Sequence, residues 1–349
     1  MRKAIFLATL LVLLLLGILL SLPHLFTRWR KALSLHSQVK TEETGNSLYA
    51  RRLPPVPSIS LEINDKTELV AYSGGPLIFC LTFANQTAMS AAIQNRADEI
   101  RRMSIQNVLS RGEISAQQAE RMLASVRKRE VPIIRLAGEN QNWQQFVRFE
   151  LQRENGEREP LQWPLKPAGR FPAGSVALDE NSTPQLFYLL DPLTASQIIP
   201  GQYKVVAVLE MKDDGKPPGD SWRGRAESEP VNLSVIPKPA HLTSAQEEEV
   251  ALQIARYYET AKDWTHALDS AQKALATNPG SIAAHMLVGD IKEASGDPRG
   301  ALEAYQAAKE QFYTRFPNSY EPPEYLIEKI SLLSAELRTQ TAAMVPAKP

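Results

Sequence analysis

Cysteine is almost absent: Cys80 is the single one in 349 residues. That excludes an intrachain disulfide framework and any cysteine-based zinc ribbon. Cys80 lies in "PLIFCLTF", an apolar run, where a buried small hydrophobe is the expected role rather than a reactive thiol. Net charge is missing as well, with 39 Lys and Arg against 39 Asp and Glu. There is no basic excess to hold a nucleic acid backbone, and no long run of one sign. Histidine is scarce: His24, His36, His241, His266 and His285. None forms HExxH or a pair at i, i+4, so no metal site is expected. No Walker-type loop, GxGxxG or GxSxG appears. "DDGKPPGD" carries carboxylates without the spacing of a calcium loop. No catalytic residue, cofactor or metal is therefore assigned, and the chain is read as a non-enzyme.

What is present divides the chain into regions. Apolar residues make up 43% and charged residues 22%, enough for packed cores, and the length suits two or three domains. Arg2 and Lys3 precede an uncharged apolar run from Ala4 to Leu22, and basic residues return at Arg28, Arg30 and Lys31. This is an export signal. The run is longer than the core of a cleavable signal, and no small-x-small site follows closely. Residues 1–31 are therefore read as a signal-anchor whose residues 4–22 span the membrane, with export and cleavage as the alternative. Flanking positive charge on both sides leaves orientation open, and the default for such an anchor puts the body outside the cytoplasm. Residues 32–55 are polar and aperiodic, a stalk that ends in the stiff "LPPVP".

From 56 to 237 the pattern changes to short runs of period two between turn residues: "SISLEIN", "PLIFCLTFAN", "FVRFELQ", "QLFYLL", "QYKVVAVLEM" and "PVNLSVI". Such strands need a second sheet to cover their apolar faces, which argues for an antiparallel sandwich. "PGQYKVVAVLE" places Tyr203 two residues after Gly201 at the head of a strand. It resembles the corner tyrosine of immunoglobulin-like sandwiches, whose hydroxyl bonds back to an upstream backbone group. The sandwich is interrupted at 87–130 by two helices. In the first, Met89, Ile93, Ala97, Ile100 and Val108 fall near one face, and it should stop near Gly112. The second opens at Ser115 with Gln118 three residues on, a capping-box pattern. The pair reads as packing against the sandwich edge, or as a docking surface.

A linker at 238–243 leads to helices over 244–340, with residues 341–349 as a disordered tail. Ser244 and Glu247 fit a capping box at the first helix. Then the chain repeats itself. Ala255 returns as Gly289, Asp263 as Asp297, Ala267 as Ala301, Leu268 as Leu302 and Ala274 as Ala308, each at an offset of 34. Small residues at these places let paired helices cross closely. Tyr258 fills the gap between helices, the Asp residues cap the second helices, and Pro298 suits a first turn. The second copy departs where Lys292 replaces Tyr258 and "NPGS" is lost, so its second helix should run longer, and a last helix from about Pro323 to Arg338 should cap the stack. The period and residue types resemble the tetratricopeptide repeat.

That resemblance implies a protein-binding surface built from the first helix of each pair, on which Leu252, Arg256, Glu259, Met286, Asp290 and Glu293 would line a groove. The pairs could instead dimerise the protein or cover the sandwich. Leu252 stands where a basic clamp for acidic C-terminal peptides would need lysine, so that specificity does not carry over. The fold class expected is thus multidomain: an N-terminal anchor helix, an all-β immunoglobulin-like sandwich with a helical insertion, and C-terminal all-α tetratricopeptide-type repeats. The function expected is a membrane-anchored, non-enzymatic scaffold of the cell envelope that holds a protein partner, with no nucleic acid. The alternative is a sandwich that binds carbohydrate or cell-wall polymer, with Trp163 and Trp222 as platform candidates and the helices as spacer or dimerisation element. Oligomeric state is left open.

Overall fold

The computed structural model describes residues 56–344, apart from 125, 127–128, 138–142, 154, 170–173, 213–220 and 319–320. The anchor expected at 4–22 and the stalk at 32–55 lie outside the described residues. Among the described residues, no helix is long and apolar enough to cross a membrane. A β-rich region comes first and helices follow.

In chain order the β-rich region holds β1 (Ser58–Ile63), β2 (Glu68–Tyr72), β3 (Leu77–Ala84), α1 (Gln86–Ser110), α2 (Ala116–Ala124), β4 (Ile134–Leu136), a 3₁₀ turn (Trp143–Phe146) and β5 (Val147–Gln152). Then come β6 (Arg158–Pro160), β7 (Lys166–Ala168), β8 (Val176–Leu178), β9 (Gln185–Leu190), α3 (Pro192–Ala195), β10 (Gly201–Met211), β11 (Gly224–Glu227) and β12 (Val231–Ile236). One sheet runs β1-β3-β9-β7. The other runs β2-β12-β10-β5-β6, with β11 also on β10, and β4 pairs β8 apart from both. Neighbours are antiparallel except β2 and β12, which are parallel.

Period two explains why the sheets face each other. On β3, Leu77, Phe79, Leu81 and Phe83 point inward, and on β10 Val205, Ala207, Leu209 and Met211 do so. They share one core with residues of both sheets. Phe79 of one sheet meets Phe149 of the other edge-on at 5.4 Å, a favoured ring geometry. Cys80 is buried on β3, opposite Glu62 and Phe187. On the outer face of the second sheet, Val206 and Val208 are also sealed from solvent. Arg148, Arg158 and Arg225 interlock there with Glu150, Glu210 and Glu227. The arginine stems offer aliphatic cover while their heads stay paired.

β1 belongs to one sheet and β2 to the other, so the chain must cross between them. It does so in a tight turn, Ile63–Lys66, closed by backbone bonds in both directions. Asn64 and Asp65 both have positive φ, at 49° and 61°, a conformation these two residue types tolerate best among non-glycines. Asn64 is pinned further, accepting from the Ile78 amide and donating to the Pro76 carbonyl.

The insertion is seated by one residue. Asn85 is fully buried and caps α1 by accepting from Ala88 N at 3.0 Å. Its amide donates to the carbonyls of Pro132 and Leu178, at 2.8 and 3.1 Å. Helix α1 ends at Ser110, before Gly112 at φ 71°, and Ser115 Oγ accepts from Gln118 N at the head of α2. The face of α1 differs from expectation. Ala88, Ala91 and Ile105 are buried, while Ile93 and Ile100 are 47% and 58% exposed. The helix has two apolar lines on opposite sides, and the segment after α2 returns along it, with Asn95 bonded to the Arg129 backbone and Arg102 to the Val126 carbonyl.

The helical region comprises α4 (Ser244–Thr260), α5 (Trp264–Thr277), α6 (Ile282–Ala294), α7 (Pro298–Arg315) and α8 (Glu324–Met344). The capping box at α4 is one residue earlier than the sequence pattern suggested: Thr243 and Gln246 exchange bonds, not Ser244 and Glu247. Both pairs fit the motif, and Gln246 is also held by the Tyr72 hydroxyl. Asp263, Ser281 and Asp297 cap the next three helices. Ala255, Ala267, Ala274, Gly289, Ala301 and Ala308 are all buried where helices cross. A methyl at Gly289 would stand 2.5 Å from the Tyr305 ring. The two hairpins end their first helices identically, with bonds from Asp263 N to Tyr258 O and from Asp297 N to Lys292 O, both 2.8 Å. Lys262 and Gly296, 34 apart, take the left-handed position in each. Helix α7 is longer than α5, 18 residues against 14, and α8 closes the stack by burying Leu326 and Leu333. The C-terminal helical region fits the tetratricopeptide type.

Candidate functional site

The six residues expected to line a groove lie in register on α4 and α6. Leu252 and Met286 occupy equivalent positions and lean on the helical cores. The polar four differ more. Arg256 forms an ion pair with Asp65 of the β1–β2 turn. That turn also sends Lys66 to Glu249, at 3.3 Å. With the Gln246–Tyr72 bond at 2.9 Å, these pairs bridge the sheets and α4.

Asp290 and Glu293 belong to a network sequence reasoning did not foresee. The Tyr305 hydroxyl donates to Asp290 at 2.6 Å and Glu293 at 3.0 Å. From α8, the Tyr325 hydroxyl donates to the same Asp290 oxygen at 2.6 Å, and Lys329 Nζ donates to Glu293 at 2.8 Å. Burial and these carboxylates push both tyrosine hydroxyls far above their ordinary range. Tyr305 reaches across because Gly289 leaves room for its ring. The missing side chain at 289 was the one available clue, since it marks a close approach without saying what approaches.

Glu259 is the repeat mate of Glu293, 34 residues earlier, yet its surroundings are poorer. Ala271 stands where Tyr305 would be, and among the described residues nothing donates a hydrogen bond to the Glu259 carboxylate. Burial raises its pKa to about 7; Asp290 and Asp65 push the same way and Arg256 opposes them. Tyr258 and Lys292, the other mismatched pair, also diverge. Tyr258 stacks on His266 at 5.0 Å, whereas Lys292 reaches Asp297 at 3.9 Å. The second repeat of this surface is thus hydrogen-bonded to α7 and α8, and the first is paired with the β1–β2 turn through Arg256.

The two tryptophans considered as sugar platforms are built into the sheets' packing. Trp163 meets Phe79 and Tyr203 edge-on at 6.3 and 5.5 Å, and the Trp222 ring lies under Gly224. Among the described residues, no group of three or more His, Cys, Asp or Glu could hold a metal ion.

No protein-family model matches the chain, and no curated protein matches it. Among solved structures, the C-terminal TPR-containing domain of a Plasmodium falciparum FK506-binding protein is similar over 28% of this chain and 60% of that one, at 21% identity and a TM-score of 0.23. This chain therefore spans less than two thirds of that structure's length.

Proposed function

We propose that this protein is a non-enzymatic scaffold of the cell envelope that binds another protein through the shared face of α4, α6 and α8. The observation that supports it is the 34-residue register of close helix crossings, which aligns Leu252 with Met286, Arg256 with Asp290 and Glu259 with Glu293 on one side of the stack. Repeats stacked in this way offer an extended face from their first helices. Membrane attachment through residues 4–22 belongs to the same proposal and is supported by the apolar run itself.

The β-rich region is, on this reading, an immunoglobulin-like sandwich. Its orders β1-β3-β9-β7 and β12-β10-β5 follow the ABED and GFC sheets of that fold, with β6 as an added strand beside C. The Tyr203 hydroxyl donates to the Ile199 carbonyl, as a corner tyrosine would.

A photo-crosslinking residue tests the binding face in the full-length, membrane-attached chain. Placed at Glu259 or Met286, it should capture an envelope protein that the same residue at Lys273, on α5, does not. Equal capture from all three positions would move the interface away from this face.

A further inference from the structure

The incoming chain and the helical insertion meet at one end of the sheets. β1 begins at Ser58, which pairs with Ala84 at the end of β3, and the Ser58 hydroxyl donates to the Ala84 carbonyl at 3.3 Å. The next residue, Asn85, caps α1. The helical region leaves from the other end, where β12 finishes at Ile236 beside Tyr72, at the turn that leads into β3. The chain therefore enters the body beside α1 and away from the start of α4.

Helix α1 turns an apolar line to solvent. Its buried residues, Ala88, Ala91 and Ile105, share one side. At about 100° per residue, Ile93, Ile100 and Met103 fall on the opposite side, and they are 47%, 58% and 53% exposed. Arg96 lies within this line, with Arg101 and Glu99 on its two flanks. Arg96 and Arg101 are exposed, and among the described residues neither is in an ion pair. The insertion is also the basic part of a neutral chain. Residues 86–130 hold eight Lys and Arg against five Asp and Glu, where the whole chain is balanced.

An arginine amid exposed isoleucines suits one kind of cover better than another. In an apolar protein groove its guanidinium would be desolvated, at a cost unless a partner charge met it. At a lipid interface the stem lies along the acyl boundary and the head reaches the phosphates, while the isoleucines enter the hydrocarbon. The position of α1 favours the lipid as well. Between the apolar run ending at Leu22 and Val56 lie 33 residues, a reach of at most about 120 Å. A tether of that length holds the insertion at high effective concentration over the bilayer, so a shallow contact suffices.

We propose that the exposed face of α1 docks on an anionic bilayer surface, with Ile93, Ile100 and Met103 in the acyl boundary and Arg96 at the lipid phosphates. The inference rests on the membrane attachment proposed above. It seats the body by its insertion end and directs the start of α4 away from the lipid.

The test uses the full chain in mixed phosphatidylcholine and phosphatidylglycerol vesicles, with a nitroxide on a cysteine introduced at Ile93 or Ile100, and at exposed Lys273 of α5 as the reference. The native Cys80 is buried. Labels at Ile93 and Ile100 should lose most of their accessibility to a water-soluble nickel complex and gain accessibility to oxygen, while the label at Lys273 stays wet. Arg96→Glu should return the Ile100 label to water although the chain still floats with the vesicles. A floating chain whose Ile93 and Ile100 labels are as wet as Lys273 overturns the docking and leaves the attachment standing. A chain that does not float overturns both. Labels that are wet on these vesicles but shielded in native membranes assign the face to a protein and overturn the proposal, as does an Arg96→Glu chain shielded like the native one.

Discussion

Gly289 is where a missing side chain has the largest local effect. Its hydrogen is what allows the Tyr305 ring to cross α6 and deliver its hydroxyl to Asp290 and Glu293. Gly289→Ala should cost about 1–3 kcal/mol, as overpacking in a filled core does, read as a lower urea midpoint with an unchanged slope. Lys262 presents the opposite case. It holds φ 61° where its repeat mate Gly296 holds 88°, and a left-handed lysine is strained where a glycine is not. Lys262→Gly should raise stability by about 0.5–1 kcal/mol, the relief of strain exceeding the added freedom of the unfolded chain; a fall in the melting temperature would contradict this.

At the scale of elements, the 34-residue period was legible because it is written in residue size: Ala255, Ala267, Gly289 and Ala301 can do little else but admit a neighbour. The sheets were legible from alternation, as along β5, where Arg148 and Glu150 face out and Phe149 faces in. The face of α1 was not. Its two apolar lines look alike in sequence, and their spacing does not say which of them is buried. The role of Asn85 was hidden for a related reason, since an asparagine before a helix announces a cap but not its long-range bonds. Asn85→Ala should cost about 2–3 kcal/mol, because it removes the cap and leaves two carbonyls, those of Pro132 and Leu178, short of a donor. Chemical denaturation measures the loss, and faster hydrogen exchange across α1 and α2 should accompany it. A neutral result would mean the insertion is seated by other contacts.

Across the whole molecule, the sequence placed the six candidate residues in register but could not show what they touch. Spacing reports that Arg256 and Asp290 are equivalent. It does not report that a loop 191 residues away in sequence supplies Asp65 to one while α8 supplies Tyr325 to the other. Pairings of that range depend on how the sheets and helices sit together, and no local pattern encodes them.

The β1–β2 turn has a consequence for how such an array can grow. Its two left-handed residues fix a short, stiff loop that reaches Arg256 and Glu249 of α4. A 34-residue unit inserted between Asn278 and Ser281 would leave those pairs in place, and with them the bonds from α8 to Asp290 and Glu293. The new unit's first helix would meet α4 and α6 in place of the contact they now share.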